Sequence, residues 1–345
     1  MLNENTARFF LGANTPEGFF PLYDELASPL TADTLYILKG GPGCGKSTFM
    51  RTVAAREKGG VEYIHCTGDP DSLDAVILKN RRIAYADGTA PHVLEPTLPS
   101  LRERYLDFSG FCSVPARECE NIRRLTEEYK NAYASAYRII AAAGSIRSDL
   151  LAAVTTDAFL RKAEKRAEGI IRREIPRKKG AGAVKRRFLS GLTCKGEITL
   201  WQTVTDNYDR VFHLRDSFGL SHFLLSPIFA AAEKAGCSVI LCPCHWEPRR
   251  IRHLLLPELG TAFVTCAGRD VCPGDAYRRI RLDAMSETAS DARLRPEKKL
   301  LRSLTEQSVA ALARAKSLHD ELEAAYRPYV DFAAVDKLTK KFAKE

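Results

Sequence analysis

The sequence predicts an α/β protein of two tandem domains, each with a parallel sheet and an appended helical hairpin. Three observations support this prediction. A short apolar strand runs through a glycine-rich loop into a helix (33–56), residue matches recur in the same order in both halves of the chain, and a long helical stretch follows each core. Strands that alternate with helices in this way are typical of α/β folds with parallel sheets.

The glycine-rich loop at 40–47 reads Gly-Gly-Pro-Gly-Cys-Gly-Lys-Ser and matches the complete P-loop pattern G-x-x-x-x-G-K-[ST]. A buried strand at 33–39 precedes it and a helix at 47–56 follows it. The glycines let backbone N–H groups point at a phosphate chain, and a helix N-terminus favours negative charge. The sequence therefore predicts two tandem P-loop NTPase-type domains with a nucleoside triphosphate in the first. The predicted nucleotide-binding residues are Gly40, Gly41, Pro42, Gly43, Cys44, Gly45, Lys46, Ser47 and Thr48.

Position in the motif assigns the roles of its polar residues. Lys46 would reach the β- and γ-phosphates and neutralise developing charge, the Ser47 hydroxyl would hold Mg²⁺, and Thr48 would support the loop. The Asn-Lys-x-Asp pattern that selects guanine is missing from the sequence, which favours ATP. ATP and Mg²⁺ are the expected cofactors.

A second apolar run, 82–87, ends in Asp87 and is followed by Gly88. A strand-end Asp beside a P-loop holds Mg²⁺, so Asp87 is predicted as a metal ligand and catalytic residue. The alternative is an ordinary turn residue before glycine. Because Gly88 stands where many P-loop ATPases have a catalytic Glu, rapid hydrolysis is not assured.

A carboxylate-rich segment, 65–74, follows the apolar strand 61–64 and would emerge at the ligand-binding edge of a parallel sheet. Asp69 is the favoured catalytic carboxylate there. The same Asp-Pro-Asp-Ser sequence is also typical of a helix start, so capping is an equal alternative. The other polar candidates are His65, Asp71, Asp74, His92 and Glu95.

The two halves of the chain match in order. Residues 8–11 align with 186–189, and 54–60 align with 230–236. Single matches are Leu38 with Leu214, Gly43 with Gly219, Cys66 with Cys242 and Ala84 with Ala262. Self-similarity through several elements indicates duplication of a whole domain.

The second copy lacks the nucleotide-binding side chains. Gly40 becomes Asp216, Gly45 becomes Ser221, Lys46 becomes His222, Ser47 becomes Phe223, and Asp87 becomes Thr265. An Asp at the mouth would repel phosphate and a Phe would leave the metal without its ligand. The second lobe is therefore expected to keep the fold without the triphosphate, and the joint loss of Lys and Asp indicates that Asp87 serves the phosphate site.

These matches divide the chain into a P-loop domain at 1–175 with a helical hairpin at 116–174, a basic Gly/Ala linker at 176–185, and a degenerate domain at 186–345 with a helical segment at 296–345. Apolar stripes on both helical stretches predict packing on their own core or on the other copy. The alternative is an arm that binds a protein partner.

Composition is that of an ordinary globular protein, with 345 residues, 45% apolar residues and a net charge of +9. No segment has the roughly 20 apolar residues of a membrane span, and the N-terminus lacks a signal-peptide profile, so no membrane contact and a cytoplasmic location are expected.

Basic residues concentrate around the linker. They predict either contact with nucleic acid or another polyanion, or a solvated helix face. The ten cysteines are expected to be reduced thiols, and Cys242, Cys244 and His245 lack the C-x-x-C spacing of a zinc site. Cys44 is the thiol placed to block the site if modified.

Residues 9–19, the P-loop, 63–74 and 87–92 together resemble an uncharacterised bacterial family of tandem P-loop ATPases. The resemblance covers both halves and implies two P-loop NTPase folds. In that family both halves commonly carry the P-loop, and this chain departs from it at 216–223.

The expected function is Mg²⁺-dependent ATP hydrolysis in the first lobe, with a nucleotide-free second lobe that is regulatory or structural. Arg215 or Arg249 of the second lobe is a candidate to reach the γ-phosphate. One alternative is a small-molecule or nucleotide kinase, with Asp69 or Asp71 as proton acceptor. A second alternative is an ATP-gated switch or adaptor with little hydrolysis.

Overall fold

A computed structural model of the chain describes residues 6–89, 93–176, 182–268 and 270–343. The strands of the first half are β1 (Ala7–Phe10), β2 (Gly12–Thr15), β3 (Gly18–Pro21), β4 (Thr34–Lys39), β5 (Val61–His65), β6 (Leu73–Leu78), β7 (Ile83–Asp87) and β8 (Glu103–Asp107). Its helices are α1 (Asp24–Ala27), α2 (Lys46–Ala54), α3 (Cys119–Val154) and α4 (Asp157–Glu174).

The second half repeats this series. Its strands are β9 (Val184–Arg186), β10 (Ser190–Thr193), β11 (Gly196–Thr199), β12 (Arg210–Arg215), β13 (Val239–Cys244), β14 (Glu247–Leu256), β15 (Thr261–Cys266) and β16 (Arg278–Arg281). Its helices are α5 (Gln202–Thr205), α6 (Ser221–Lys234), α7 (Arg295–Tyr326) and α8 (Phe332–Phe342).

Both halves build a six-stranded sheet with the same strand order. The first sheet is ordered β1-β5-β6-β7-β4-β8 and the second β9-β13-β14-β15-β12-β16, and each half adds a two-stranded hairpin, β2-β3 or β10-β11. The α/β class predicted from the sequence is therefore confirmed. The register differs from the sequence alignment at one match. Glu62 pairs with Ile77 as Ile240 pairs with Leu255, which places Cys66 on Cys244 rather than on Cys242.

The sheets are mixed, whereas the sequence predicted parallel ones. β6 runs antiparallel to β5 and β7, while β1-β5, β4-β7 and β4-β8 are parallel. The cause is the segment 66–72, where the Ser72 amide donates to the Asp69 carbonyl at 2.8 Å and turns the chain straight back. The six residues of β6 are all buried, so the segment that could have started a helix is a central strand.

A pseudo-twofold arrangement joins the two sheets. Phe10 and Phe188, which are equivalent in the repeat, exchange backbone hydrogen bonds of 2.8 and 2.9 Å. One apolar core contains residues from both sheets. Arg187 lies at this junction, 1% exposed, with its guanidinium 2.6 Å from Glu62 and 3.3 Å from Glu25. Arg187, one of the basic residues near the predicted linker, is therefore buried and links the two lobes.

The helical arms are exchanged between the lobes. The long helices α3 and α7 pack on each other, α4 packs on α6 of the second half, and α8 packs on α2 of the first half. Phe159 and Ile170 of α4 enter the core of the second sheet, and Val335 and Phe342 of α8 enter that of the first. Each arm thus completes the other copy's core, which was one of the two arrangements expected.

Residues 177–181 of the predicted linker lie outside the described residues, and β9 begins within its last part, at Val184. The basic side chains of α4 form an exposed face; they are Arg161, Lys162, Lys165, Arg166, Arg172 and Arg173. No single helix in the described part of the chain is long and apolar enough to cross a bilayer; taken together, the segment Ala116–Val154 and the helix Asp157–Glu174, bent by 83°, pass that test.

Candidate functional site

The loop 40–45 connects β4 to α2 at the carboxyl end of its strand. Gly43 has φ of 70° and Gly45 has φ of 87°, values that side chains with a β-carbon rarely adopt. Among the described residues, no acceptor is within hydrogen-bonding geometry of the backbone N–H groups of Gly43, Gly45, Lys46 or Ser47. The loop therefore has several backbone N–H groups without an acceptor among the described residues at the start of α2, which is the chemistry of an anion site.

Lys46 turns back into this loop. Its ammonium group donates to the carbonyls of Gly40 at 2.8 Å and Gly41 at 2.9 Å, and it lies 3.6 Å from a carboxylate oxygen of Asp87. The residue is 7% exposed. The structure therefore brings together two of the three catalytic residues predicted from the sequence.

Asp87 ends β7, which is hydrogen-bonded to β4, and it pairs in register with Leu38. One carboxylate oxygen accepts from the Thr89 amide at 2.9 Å and from its hydroxyl at 2.5 Å. The other oxygen faces Lys46. Asp87 thus serves as a turn residue through one oxygen and leaves the second for a cation, so the two alternatives are compatible.

The side-chain oxygen atoms of Ser47 and Asp87 are suitable ligands for Mg²⁺. The Ser47 hydroxyl accepts from the Leu73 amide at 3.1 Å, which fixes its oxygen at the start of α2. The Ser47 hydroxyl and the Asp87 carboxylate supply hard oxygen ligands of the kind that Mg²⁺ prefers. Elsewhere in the described ranges, one group of three side chains has metal-binding atoms within 4.8 Å of one another, namely His319, Asp320 and Glu323 on α7; Cys242 and Cys244 form no such group.

Asp69, the third predicted catalytic residue, is held away from Lys46. One of its carboxylate oxygens accepts from the Asp71 amide at 3.2 Å, and the other lies 3.4 Å from the ammonium of Lys316. Asp71 pairs with Lys195, and that hydrogen bond lowers the pKa of the Asp71 carboxyl. Both lysines come from the second half of the chain, so the second lobe controls the charge of this loop.

The remaining polar candidates also have partners or lie elsewhere. Asp74 is buried and accepts from the Tyr23 hydroxyl at 2.7 Å. Glu95 pairs with Lys39 at 2.8 Å. A ring nitrogen of His65 lies 2.8 Å from the Pro70 carbonyl. His92 is outside the described residues.

The exchanged arm of the second half lies directly on the loop 40–45. Its contacts are Tyr326 against Gly41, Arg327 against Gly43 and Val335 against Gly45. A β-carbon at Gly43 would lie 3.3 Å from Cγ of Arg327 and 3.1 Å from the Glu323 carbonyl, so the close approach requires glycine. Arg327 of the second half therefore packs the aliphatic part of its side chain against the loop. Sequence reasoning missed it because nothing local links residues 43 and 327; Arg215 and Arg249, named instead, lie on the second sheet.

The corresponding loop of the second lobe is already filled. The Asp216 carboxylate accepts from the backbone N–H groups of Phe218, Gly219, Leu220 and Ser221 at 2.7–3.0 Å. Asp216 is 2% exposed. Four backbone N–H groups of this loop therefore converge on one internal carboxylate.

Cys44 is 1% exposed, and burial raises the pKa of its thiol to about 11. Only the thiolate reacts rapidly with alkylating agents, so we expect N-ethylmaleimide at pH 7 to modify Cys44 much more slowly than the exposed Cys119. Peptide mass spectrometry over time measures both rates. The rate at Cys44 should rise as the pH is raised towards about 11, because a growing fraction of the thiol is then deprotonated. Equal rates for the two thiols at pH 7 would contradict this prediction.

Comparison of the chain with protein-family models, with curated proteins and with solved structures finds no match.

Proposed function

We propose that this protein binds Mg²⁺·ATP in the loop 40–48 of its first lobe and hydrolyses it, while the second lobe holds no nucleotide. The observation that carries the proposal is the contrast between two equivalent loops. In the first, the N–H groups of Gly43, Gly45 and Lys46 have no acceptor among the described residues. In the second, Asp216 supplies an anion to the same set of donors. The first loop therefore needs an anion from outside.

The residues of the first loop divide the work of holding the triphosphate. The N–H groups would surround the phosphate oxygens, and Lys46 would leave the carbonyls of Gly40 and Gly41 to neutralise the β- and γ-phosphates. Ser47 and Asp87 would hold Mg²⁺, which offsets the negative charge that grows on the phosphates. Arg327, whose Cγ lies beside Gly43, would add a further positive charge.

Release of inorganic phosphate from Mg²⁺·ATP tests the proposal. We expect Lys46→Ala and Asp87→Asn to reduce turnover by about 100-fold or more, since each removes a charge that acts on the transferred phosphoryl group. Lys58→Ala, an exposed lysine just beyond α2, is the matched control and should leave turnover unchanged. Turnover that is not reduced in Lys46→Ala would contradict the proposal. Adding DNA or RNA tests the predicted polyanion contact of the basic face of α4.

An ATP-gated switch is the second candidate, and two observations favour it. Gly88 follows Asp87, and Asp69 is engaged by Lys316, so neither position offers a free carboxylate as catalytic base. The α7–α8 arm also lies on the loop, where a bound nucleotide would meet it. ATP binding that depends on Lys46 without turnover would identify the switch. Transfer of labelled phosphate to an added acceptor would instead identify a kinase. Asp69 and Asp71, the proton acceptors predicted for a kinase, both have lysine partners.

A further inference from the structure

A pocket of about 210 Å³ lies over the filled loop of the second lobe. It is bounded by the end of α3, by the loop at 216–221 and by the first part of β14, so it is the second lobe's counterpart of the nucleotide site. The side chains that matter for its chemistry are Arg147, Trp246, Arg250 and Arg252.

Arg252 is the unusual residue of this pocket. It is 5% exposed, yet no side chain or carbonyl in the described ranges accepts a hydrogen bond from its guanidinium, and its Nε is fully buried without a partner. The nearby Glu197 carboxylate accepts from His245 and Trp246, each at 2.8 Å. A buried guanidinium without acceptors is costly, because it has lost its water without gaining hydrogen bonds. Its donors call for an acceptor within the pocket.

The other charged side chains of the pocket leave two of its arginines without an acceptor among the described residues; Glu17 also lines the pocket but is exposed. Arg147 lies over the Trp246 ring at 5.7 Å and, within the described part of the chain, makes neither a hydrogen bond nor an ion pair. Arg250 is paired with Glu247 at 2.7 Å. The Asp216 carboxylate is consumed by four backbone donors. Arg147 and Arg252 thus share the charge of Glu197 without a hydrogen bond to it, and both line one small cavity.

The repeat shows that the two lobes differ in charge at the position of Arg252. Leu255 pairs with Ala262 as Ile77 pairs with Ala84 in the first lobe. This register places Arg252 at the position of Asp74, so a buried cation replaces a buried carboxylate. Beside its filled loop the second lobe therefore has a buried arginine where the first lobe has a carboxylate, and the exchanged helix α3 of the first half adds Arg147.

We propose that this pocket binds a small anion bearing a phosphoryl or carboxylate group, held by the guanidinium groups of Arg252 and Arg147 beside Trp246. Two guanidinium groups provide forked donors that match either anion. The volume of the pocket limits the ligand to a small molecule. The arginines, and not the backbone N–H groups, would bind it, because the Asp216 carboxylate already accepts from those N–H groups.

Binding of inorganic phosphate and of succinate to the full chain, measured by calorimetry and by tryptophan fluorescence, tests this proposal. We expect at least one of them to bind at millimolar concentration or below. Arg252→Met and Arg147→Ala should each weaken binding by about tenfold or more, which corresponds to about 1.4 kcal/mol. Arg249→Ala, an exposed arginine of the same strand, is the matched control and should bind as the wild type does.

The variants also separate this site from the nucleotide site. Lys46→Ala should retain anion binding, so the result stands apart from the fate of the ATPase proposal. Arg147 is only partly buried, so Arg147→Ala is expected to fold even if Arg252→Met does not. Binding of phosphate alone or of succinate alone would name the anionic group. No binding of either at about 10 mM, or binding unaffected by Arg147→Ala, would overturn the proposal.

Discussion

Neither half of this chain should fold alone: residues 1–176 and 182–345, produced separately, are expected to be unfolded or aggregated. The reason is the exchange of arms. Without α8, the core around α2 loses Val335 and Phe342, and without α4 the second core loses Phe159 and Ile170. Each such side chain contributes about 1.5–3 kcal/mol when buried, against a total stability of about 5–15 kcal/mol.

Co-expression of the two fragments should restore a folded 1:1 complex, since every contact across the pseudo-twofold junction can then form. Circular dichroism and thermal unfolding of each fragment, alone and together, measure this. The matched control is the intact chain with a protease site inserted in 178–181, which should stay assembled after cleavage. A cooperative thermal transition from residues 1–176 alone would contradict the expectation.

The local parts of the fold and of the candidate site could be predicted from sequence because their contacts are local. Gly43, Gly45, Lys46 and Ser47 lie within one loop and one helical turn, so a motif places them. The repeat likewise predicts equivalent strands, because both copies have similar apolar runs. Asp87 could be linked to the loop since its strand ends in a carboxylate.

The direction of β6 could not be read from sequence. The residues 69–72 are good helix caps and good turn formers at once, and the choice depends on whether the next six residues are buried between two strands. The exchange of arms could not be predicted from the sequence either, because the apolar stripe of α8 would fit either of two similar cores. Arg327 on the loop is a consequence of that exchange.

The structure gives Asp216 a set of partners that the sequence did not predict. Repulsion of phosphate by a carboxylate at the mouth was the expectation. Instead, the carboxylate has moved into the nest and satisfies four backbone donors. The carboxylate of Asp216 thus stabilises the loop from within the protein.

Replacing this carboxylate should therefore destabilise the protein strongly. We expect Asp216→Ala to lower the free energy of unfolding by about 3–5 kcal/mol, because four N–H groups at a buried helix start lose a charged acceptor. For a chain of this length, the thermal midpoint should fall by several degrees. Asp283→Ala is the matched control: Asp283 accepts from Ser217 alone in this loop and should cost much less.

The same variant should acquire a dependence on external anions. With the nest of residues 218–221 vacated, sulfate or phosphate at millimolar concentration should raise the thermal midpoint of Asp216→Ala by more than it raises that of the wild type or of Asp283→Ala, through preferential binding to the folded state. The rescue would be partial, since His222 and Phe223 replace the lysine and the serine of the first loop. A thermal midpoint of Asp216→Ala equal to that of the wild type would mean that the four hydrogen bonds contribute little to stability. A destabilised variant whose midpoint does not rise with sulfate would mean that the four N–H groups no longer form an anion site. Rescue by an anion would instead establish that the second loop kept the phosphate-binding backbone of the first and was silenced by one internal carboxylate.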